Sequence, residues 1–226
     1  MSVEQLAELL ARQTRRWEID RRAGMPQPRG AVVGVSRLPA SGGDEVARRV
    51  AEWLDYGFFD REVIDRIAGD AGLRGRLDAD LAPAARVAIE RLLQEFCARA
   101  RDEALRGMLG VVATLAERGM AVLVGGSAVA ILPPSRALRV LVVAPSALRA
   151  ERLAATEGLA SQVAVARLAE LDAARAALLR TQLGVADEDP CRYDLVLNTE
   201  SLPIDAAAAL VVEALRRRAQ PAPQGA

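Results

Sequence analysis

The stretch that most limits what this chain can fold into is Ala31 to Leu54, AVVGVSRLPASGGDEVARRVAEWL. Ala31, Val32, Val33 and Val35 are small, apolar and mostly β-branched, which suits a strand covered on both faces, as in a parallel sheet. After Ser41-Gly42-Gly43 the period turns helical, with Val46, Val50, Trp53 and Leu54 on one stripe and Arg48, Arg49 and Glu52 off it. A strand, a glycine turn and a helix N-terminus make an anion cradle, because free backbone N–H groups converge there and the helix dipole favours negative charge. The full phosphate-loop pattern G-x-x-x-x-G-K-[ST] also carries a lysine for the outer phosphates and a hydroxyl for Mg²⁺. Here Gly43 stands at the lysine position and Asp44 follows. The residues therefore fit either a phosphate loop or a plain βα turn whose glycines supply positive φ.

Composition removes several chemistries. All 30 basic residues are arginine, and there is no histidine. Schiff-base lysines, histidine bases and histidine metal ligands are thus excluded, leaving arginine and carboxylates as the charged chemistry. The basic residues are matched by 30 acidic ones, so no global charge draws the chain to nucleic acid. A length of 226 residues suits one α/β domain with a small arm. Cys97 and Cys191 lie far apart in no metal or redox spacing, and are expected to be buried or half-buried thiols in a reducing compartment. The N-terminus lacks the apolar core of a signal peptide, and no run approaches the ~18 apolar residues of a membrane span. The expectation is a soluble cytoplasmic protein with no membrane partner and no metal site.

Along the chain, residues 1–29 read as a helical arm with Leu6, Leu9, Leu10, Trp17 and Ile19 in its pattern, broken at Gly24 to Pro28. This arm should pack on the domain or on a second copy, giving a homodimer. Asp55 to Phe59 reads as a turn or short strand, and Asp60 as the N-cap of a helix carrying Val63, Ile64 and Ile67. Gly72 to Pro83 reads as a mobile connection. From Ala84 to Arg118 the pattern is helical, with Val87 and Ile89 inward and a weak point at Gly107 to Gly110. Met120 to Val124 and Leu138 to Val143 read as strands, the first running into Gly125-Gly126-Ser127. Ser146 reads as the N-cap of a helix that places Arg149 and Arg152 on one side. Ser161 to Leu183 is an alanine-rich helix, Asp194 to Leu197 a strand, and Ile204 to Arg218 a helix with Ala206, Leu210, Val211, Ala214 and Leu215 inward. Residues 219–226 should be disordered. Strands alternating with helices call for a parallel sheet covered on both faces, with any ligand at the carboxyl ends of the strands.

The order of these motifs resembles the cytidylate kinase-like family of P-loop nucleoside monophosphate kinases. The matching pieces are VGVSR (33 to 37), SGGDEVARRVAEWL (41 to 54), FFDREVIDRIA (58 to 68), LAERGMAVLVGGSAVAIL (115 to 132), LRVLVVAPSALRAERL (138 to 153), ELDAARAALL (170 to 179) and YDLVLNTESLPIDAAAALV (193 to 211). The resemblance implies a three-layer P-loop kinase-like fold over residues 30–218, with acceptor-side helices in 60–118 and lid-like helices in 146–185. It also implies phosphoryl transfer from ATP, with Mg²⁺, to a pyrimidine monophosphate such as CMP or dCMP. Catalysis of this kind is mostly positioning and charge neutralisation. By the same resemblance Arg37, Ser41, Gly42, Gly43, Asp44 and Glu45 would hold the donor phosphates. Asp60, Arg61, Gly125 and Gly126 would form the acceptor side, and Arg149, Arg152, Asp172 and Arg175 would be the catalytic lid residues.

Two departures weigh against full activity. The family usually reads G-S-G-G-[RK] where this chain has Ala40-Ser41-Gly42-Gly43-Asp44, which sets a carboxylate among the anions the loop should attract. At ~4 Å, like charges repel by about 4 kcal/mol at an effective dielectric near 20. Gly126 stands where the family commonly has an arginine. The sequence thus supports either an impaired kinase or an inactive kinase-fold module for nucleotide sensing or protein interaction.

Overall fold

The β-branched apolar runs form one sheet of five parallel strands in the computed structural model, which describes residues 2–22, 32–79, 81–97, 103–184 and 189–219. In chain order the elements are α1 (Val3–Arg22), β1 (Val32–Arg37), α2 (Gly43–Leu54), β2 (Gly57–Phe59), α3 (Arg61–Gly69), α4 (Ala71–Asp78), α5 (Pro83–Cys97) and α6 (Glu103–Arg118). They continue with β3 (Ala121–Val124), α7 (Gly126–Ile131), β4 (Ala137–Val143), α8 (Ser146–Glu157), α9 (Ser161–Leu183), a 3₁₀ turn (Pro190–Arg192), β5 (Leu195–Asn198) and α10 (Ile204–Ala219). The strand order is β2-β3-β1-β4-β5. The strands are short; β1, β3 and β4 are buried almost throughout, while the edge strand β5 exposes Val196 and Asn198, and successive side chains feed opposite faces. Val33, Val35, Val122, Val124, Val140 and Val142 pack with α2 and α10. Val32, Ala121, Leu123 and Ala137 face the other way, onto α3, α6 and α7. The result is the expected three-layer α/β fold.

The N-terminal arm belongs to this domain. Leu6 and Leu10 of α1 are fully buried in the core that also holds Leu73, Leu77 and Met120, each worth about 1.5–3 kcal/mol relative to exposure. Gln13 Nε2 donates to the Met120 carbonyl at 2.8 Å, and Trp17 Nε1 to the Gly119 carbonyl at 3.0 Å. The Arg118 guanidinium covers the Trp17 ring at 4.6 Å. Those bonds satisfy carbonyls just ahead of β3, at the sheet edge opposite the strand carboxyl ends. Ile19 is 65% exposed, off the expected stripe.

Several local expectations change. The stretch from Gly72 is helical in α4, capped by Asp70, whose Oδ1 accepts from the Leu73 amide at 2.9 Å. Leu73 and Leu77 anchor it, so two apolar residues four apart outweigh its glycines and charges. No break falls at Gly107 to Gly110, since both lie within α6; Gly107 sits where a Cβ would be 3.4 Å from Ala68, letting α6 approach α3 closely. Ser146 is the first residue of α8, not its cap, and Pro145 precedes it. Trp53, Val87 and Leu210 are exposed, as is Ala206. In α10 the buried set is Ala207, Ala208, Val211, Val212 and Leu215, one position round from that expected. Cys191 is exposed. The side chain of Cys97, the break at Gly24 to Pro28 and the tail from residue 220 lie outside the described residues.

Candidate functional site

The strand order turns about β1: the chain leaves β1 toward β2 on one side and leaves β4 toward β5 on the other. A crevice therefore opens beyond the carboxyl ends of these strands, the usual ligand position in such sheets. Parallel register aligns those ends, pairing Val35 with Val124, Arg37 with Val142, and Val143 with Asn198. Every loop bearing a sequence-selected residue starts from this rim.

The loop from β1 to α2 is built by its own contacts. Ala40 and Gly42 take left-handed backbone, at φ 56° and 81°. A Cβ on Gly42 would lie 2.7 Å from Ile204 Cδ1, so glycine is needed there twice over, for φ and for space. A Cβ on Gly43 would strike Arg37 Cβ and come within 3.1 Å of Val142 Cβ, leaving no room for a longer side chain. Ser41 Oγ donates to the Val142 carbonyl at 3.1 Å, and Thr199 Oγ1 donates to the Ser41 carbonyl at 2.5 Å. Arg37 turns back on Asp44: its Nε and Nη2 both lie 3.0 Å from Oδ1. With Glu45, this puts two carboxylates in the first turn of α2, where a phosphate would otherwise collect the dipole.

The arginines that the resemblance assigns to a lid are bound to the protein. Arg149, 5% exposed, spends Nε on the Ala144 carbonyl (3.0 Å) and Nη1 on the Pro39 carbonyl (3.3 Å). It meets Asp172 in a fork, Nη1 to Oδ1 at 2.8 Å and Nη2 to Oδ2 at 3.0 Å. Arg152 donates Nη1 to Thr199 Oγ1 at 2.9 Å and Nη2 to its carbonyl at 3.0 Å. Arg175 Nη2 reaches the hydroxyl of Ser36, a fully buried residue, at 2.7 Å. Burial pulls the Arg175 guanidinium below its ordinary pKa; Tyr193 and Asp172 act the other way.

Beside the loop lies a cavity of about 1000 Å³ between the sheet rim, α3, α6 and α9. Arg37, Pro39, Gly125, Gly126 and Arg175 line its inner end; Arg61, Asp65, Arg74 and Glu103 line the side toward α3, α4 and α6. Arg61 Nε lies 3.3 Å from Asp65 Oδ2. Asp60 caps α3, Oδ1 accepting from the Val63 amide at 3.0 Å. Gly126 is where Arg175 and Leu179 come close, 3.2–3.3 Å from a would-be Cβ. The structure thus gathers Arg37, Gly125, Gly126, Arg61 and Arg175 around one cavity, while Arg149, Arg152 and Asp172 stand behind its wall. Ser36, Pro39 and Thr199 were not selected from the sequence. Only Ser36, a lone hydroxyl in an apolar strand, gave any signal.

This architecture is that of a P-loop kinase-like protein. The chain belongs to the cytidylate kinase-like family, whose model matches residues 32–201. No curated protein matches it. Among solved structures it is similar to an uncharacterized protein from Eubacterium ventriosum ATCC 27560, with 17% identity, a TM-score of 0.57, and coverage of 82% of this chain and 98% of that one. A shikimate kinase from Acinetobacter baumannii in complex with shikimate gives 16% identity and a TM-score of 0.49, over 84% and 96% of the two chains. Among the described residues no helix is long and apolar enough to cross a membrane.

Proposed function

We propose that this protein binds a pyrimidine monophosphate such as CMP or dCMP in the rim cavity, and that its transfer of a phosphoryl group from Mg·ATP is impaired. The observation that carries this reading is the contrast between the two sides of the rim. The cavity side presents Arg175 and Arg74 to a volume ample for a nucleotide, with Arg61 paired to Asp65 at 3.3 Å beside them. On the loop side, Arg37 is neutralised by Asp44 within the phosphate loop itself. A triphosphate and Mg²⁺ fit this loop poorly, because its glycine backbone is retained but its helix end already holds two carboxylates. The family supplies the expectation of ATP; these residues lower it.

A second reading, an inactive kinase fold that senses nucleotide or docks a protein, is favoured by one observation: Arg149 is forked onto Asp172, and Arg152 is bonded through both terminal nitrogens to Thr199.

Ligand-induced stabilisation tests the first step. A ligand at 100 times its Kd stabilises by about 2.7 kcal/mol, so saturating CMP or dCMP should raise the melting temperature, while millimolar Mg·ATP should shift it little. Coupled ADP release with CMP should be slow. No shift with CMP, dCMP, UMP or AMP rejects the binding reading, and turnover at ordinary kinase rates rejects the impairment. Binding with no turnover at all favours the second reading.

A further inference from the structure

Contacts close a ring behind the cavity wall. From Ser36 the backbone runs to Pro39, whose carbonyl accepts from Arg149 Nη1 at 3.3 Å. Arg149 forks onto Asp172 at 2.8 and 3.0 Å. Asp172 and Arg175 are three residues apart on α9 and share a face, and Arg175 Nη2 returns to the Ser36 hydroxyl at 2.7 Å. Apolar packing thickens the ring, with Ala40 of the loop and Leu171 of α9 set against Ala150, Leu153 and Leu168. Pro39 and Arg175 line the cavity; Arg149 and Asp172 do not. A guanidinium whose donors are spent on two carbonyls and a carboxylate is held in place by the protein rather than offered to a ligand.

We propose that Asp172 is a positioning residue: acting through Arg149 it sets the shape of the β1–α2 loop, and along α9 it holds Arg175 in the cavity, so anion binding there depends on a carboxylate that does not touch the ligand. The inference rests on the cavity being the nucleotide site. Its sign separates it from a direct role. If Arg149 served phosphates directly, Asp172→Asn would release it and tighten anion binding. A positioning pair gives the reverse, because the loop and Arg175 both lose their support.

The experiment measures CMP affinity by calorimetry and amide exchange at Ser41, whose N–H is bonded to the Leu38 carbonyl at 3.1 Å, in the full chain. Asp172→Asn should weaken CMP binding about tenfold and speed Ser41 exchange to a similar degree. Asp172→Glu, which keeps a forked acceptor, should recover most of both. In an Arg175→Ala background, Asp172→Asn should cost less affinity than in the unaltered protein, leaving only the part that passes through Arg149 and the loop. Tighter CMP binding by Asp172→Asn, or unchanged exchange at Ser41, overturns the proposal. If the unaltered protein does not bind CMP, the nucleotide reading fails alone; the exchange comparison with Asp172→Glu then decides whether the pair holds the loop.

Discussion

At the scale of single residues, the β1–α2 loop shows how one side chain changes a loop's charge without altering the fold. Asp44 keeps α2 intact, since a carboxylate in the first turn suits the dipole, yet it captures Arg37 with both contacts at 3.0 Å. Replacing it with asparagine should free Arg37 and remove a repelling charge, tightening Mg·ATP by about tenfold or more, as read by titration calorimetry. An Asp44→Asn protein no better at binding Mg·ATP would show that the loop is closed for another reason. Gly42 is more exacting. Alanine there meets left-handed backbone and Ile204, and should cost at least about 1–2 kcal/mol in denaturant unfolding. The spacing of glycines was visible in the sequence; the partner of Arg37 was not, because Asp44 lies across a turn whose shape depends on Val142 and Ile204 from other elements.

Among the elements, α1 and α9 are the two whose placement rests on tertiary contacts. The sequence allowed the arm to pack on the domain or on a second copy, and α1 packs on the domain, bonding Gly119 and Met120 through Gln13 and Trp17. Leu10→Ala should lower unfolding free energy by about 2–5 kcal/mol, with CMP binding unchanged at temperatures where the variant is folded. Alanine-rich α9 has no strong apolar stripe, so periodicity could not say which face turns inward. Its contacts with α8 and Ser36 decide that. At the junction of α7 and α9, Gly126→Arg should displace Arg175 and Leu179, destabilising by about 1–3 kcal/mol from overpacking and weakening CMP binding. A variant of full stability and affinity would show that the contact can yield freely.

Over the whole molecule, the end of the sheet away from the site is held by charge. Burial acts to raise the Asp194 pKa, but hydrogen bonds from the Arg139 side chain and amide, with the charges of Arg139 and Arg218, outweigh it and hold the carboxyl below its ordinary value. A group depressed in the folded state contributes stability that is present above its unfolded pKa and lost as pH falls through the folded one. Unfolding titrations should therefore show stability dropping below about pH 4, and Asp194→Asn should flatten that drop; an unchanged acid limb would remove Asp194 from the cause. By itself, the sequence determined the alternation of buried strands and helices, the parallel sheet and the rim where its loops converge, because burial and periodicity are local properties of the chain. Only the tertiary structure decided which cations face the cavity and which are spent inside the protein. A guanidinium's role depends on what lies within about 3 Å of its nitrogens, and for Arg149 and Arg175 those neighbours come from elements remote in the chain.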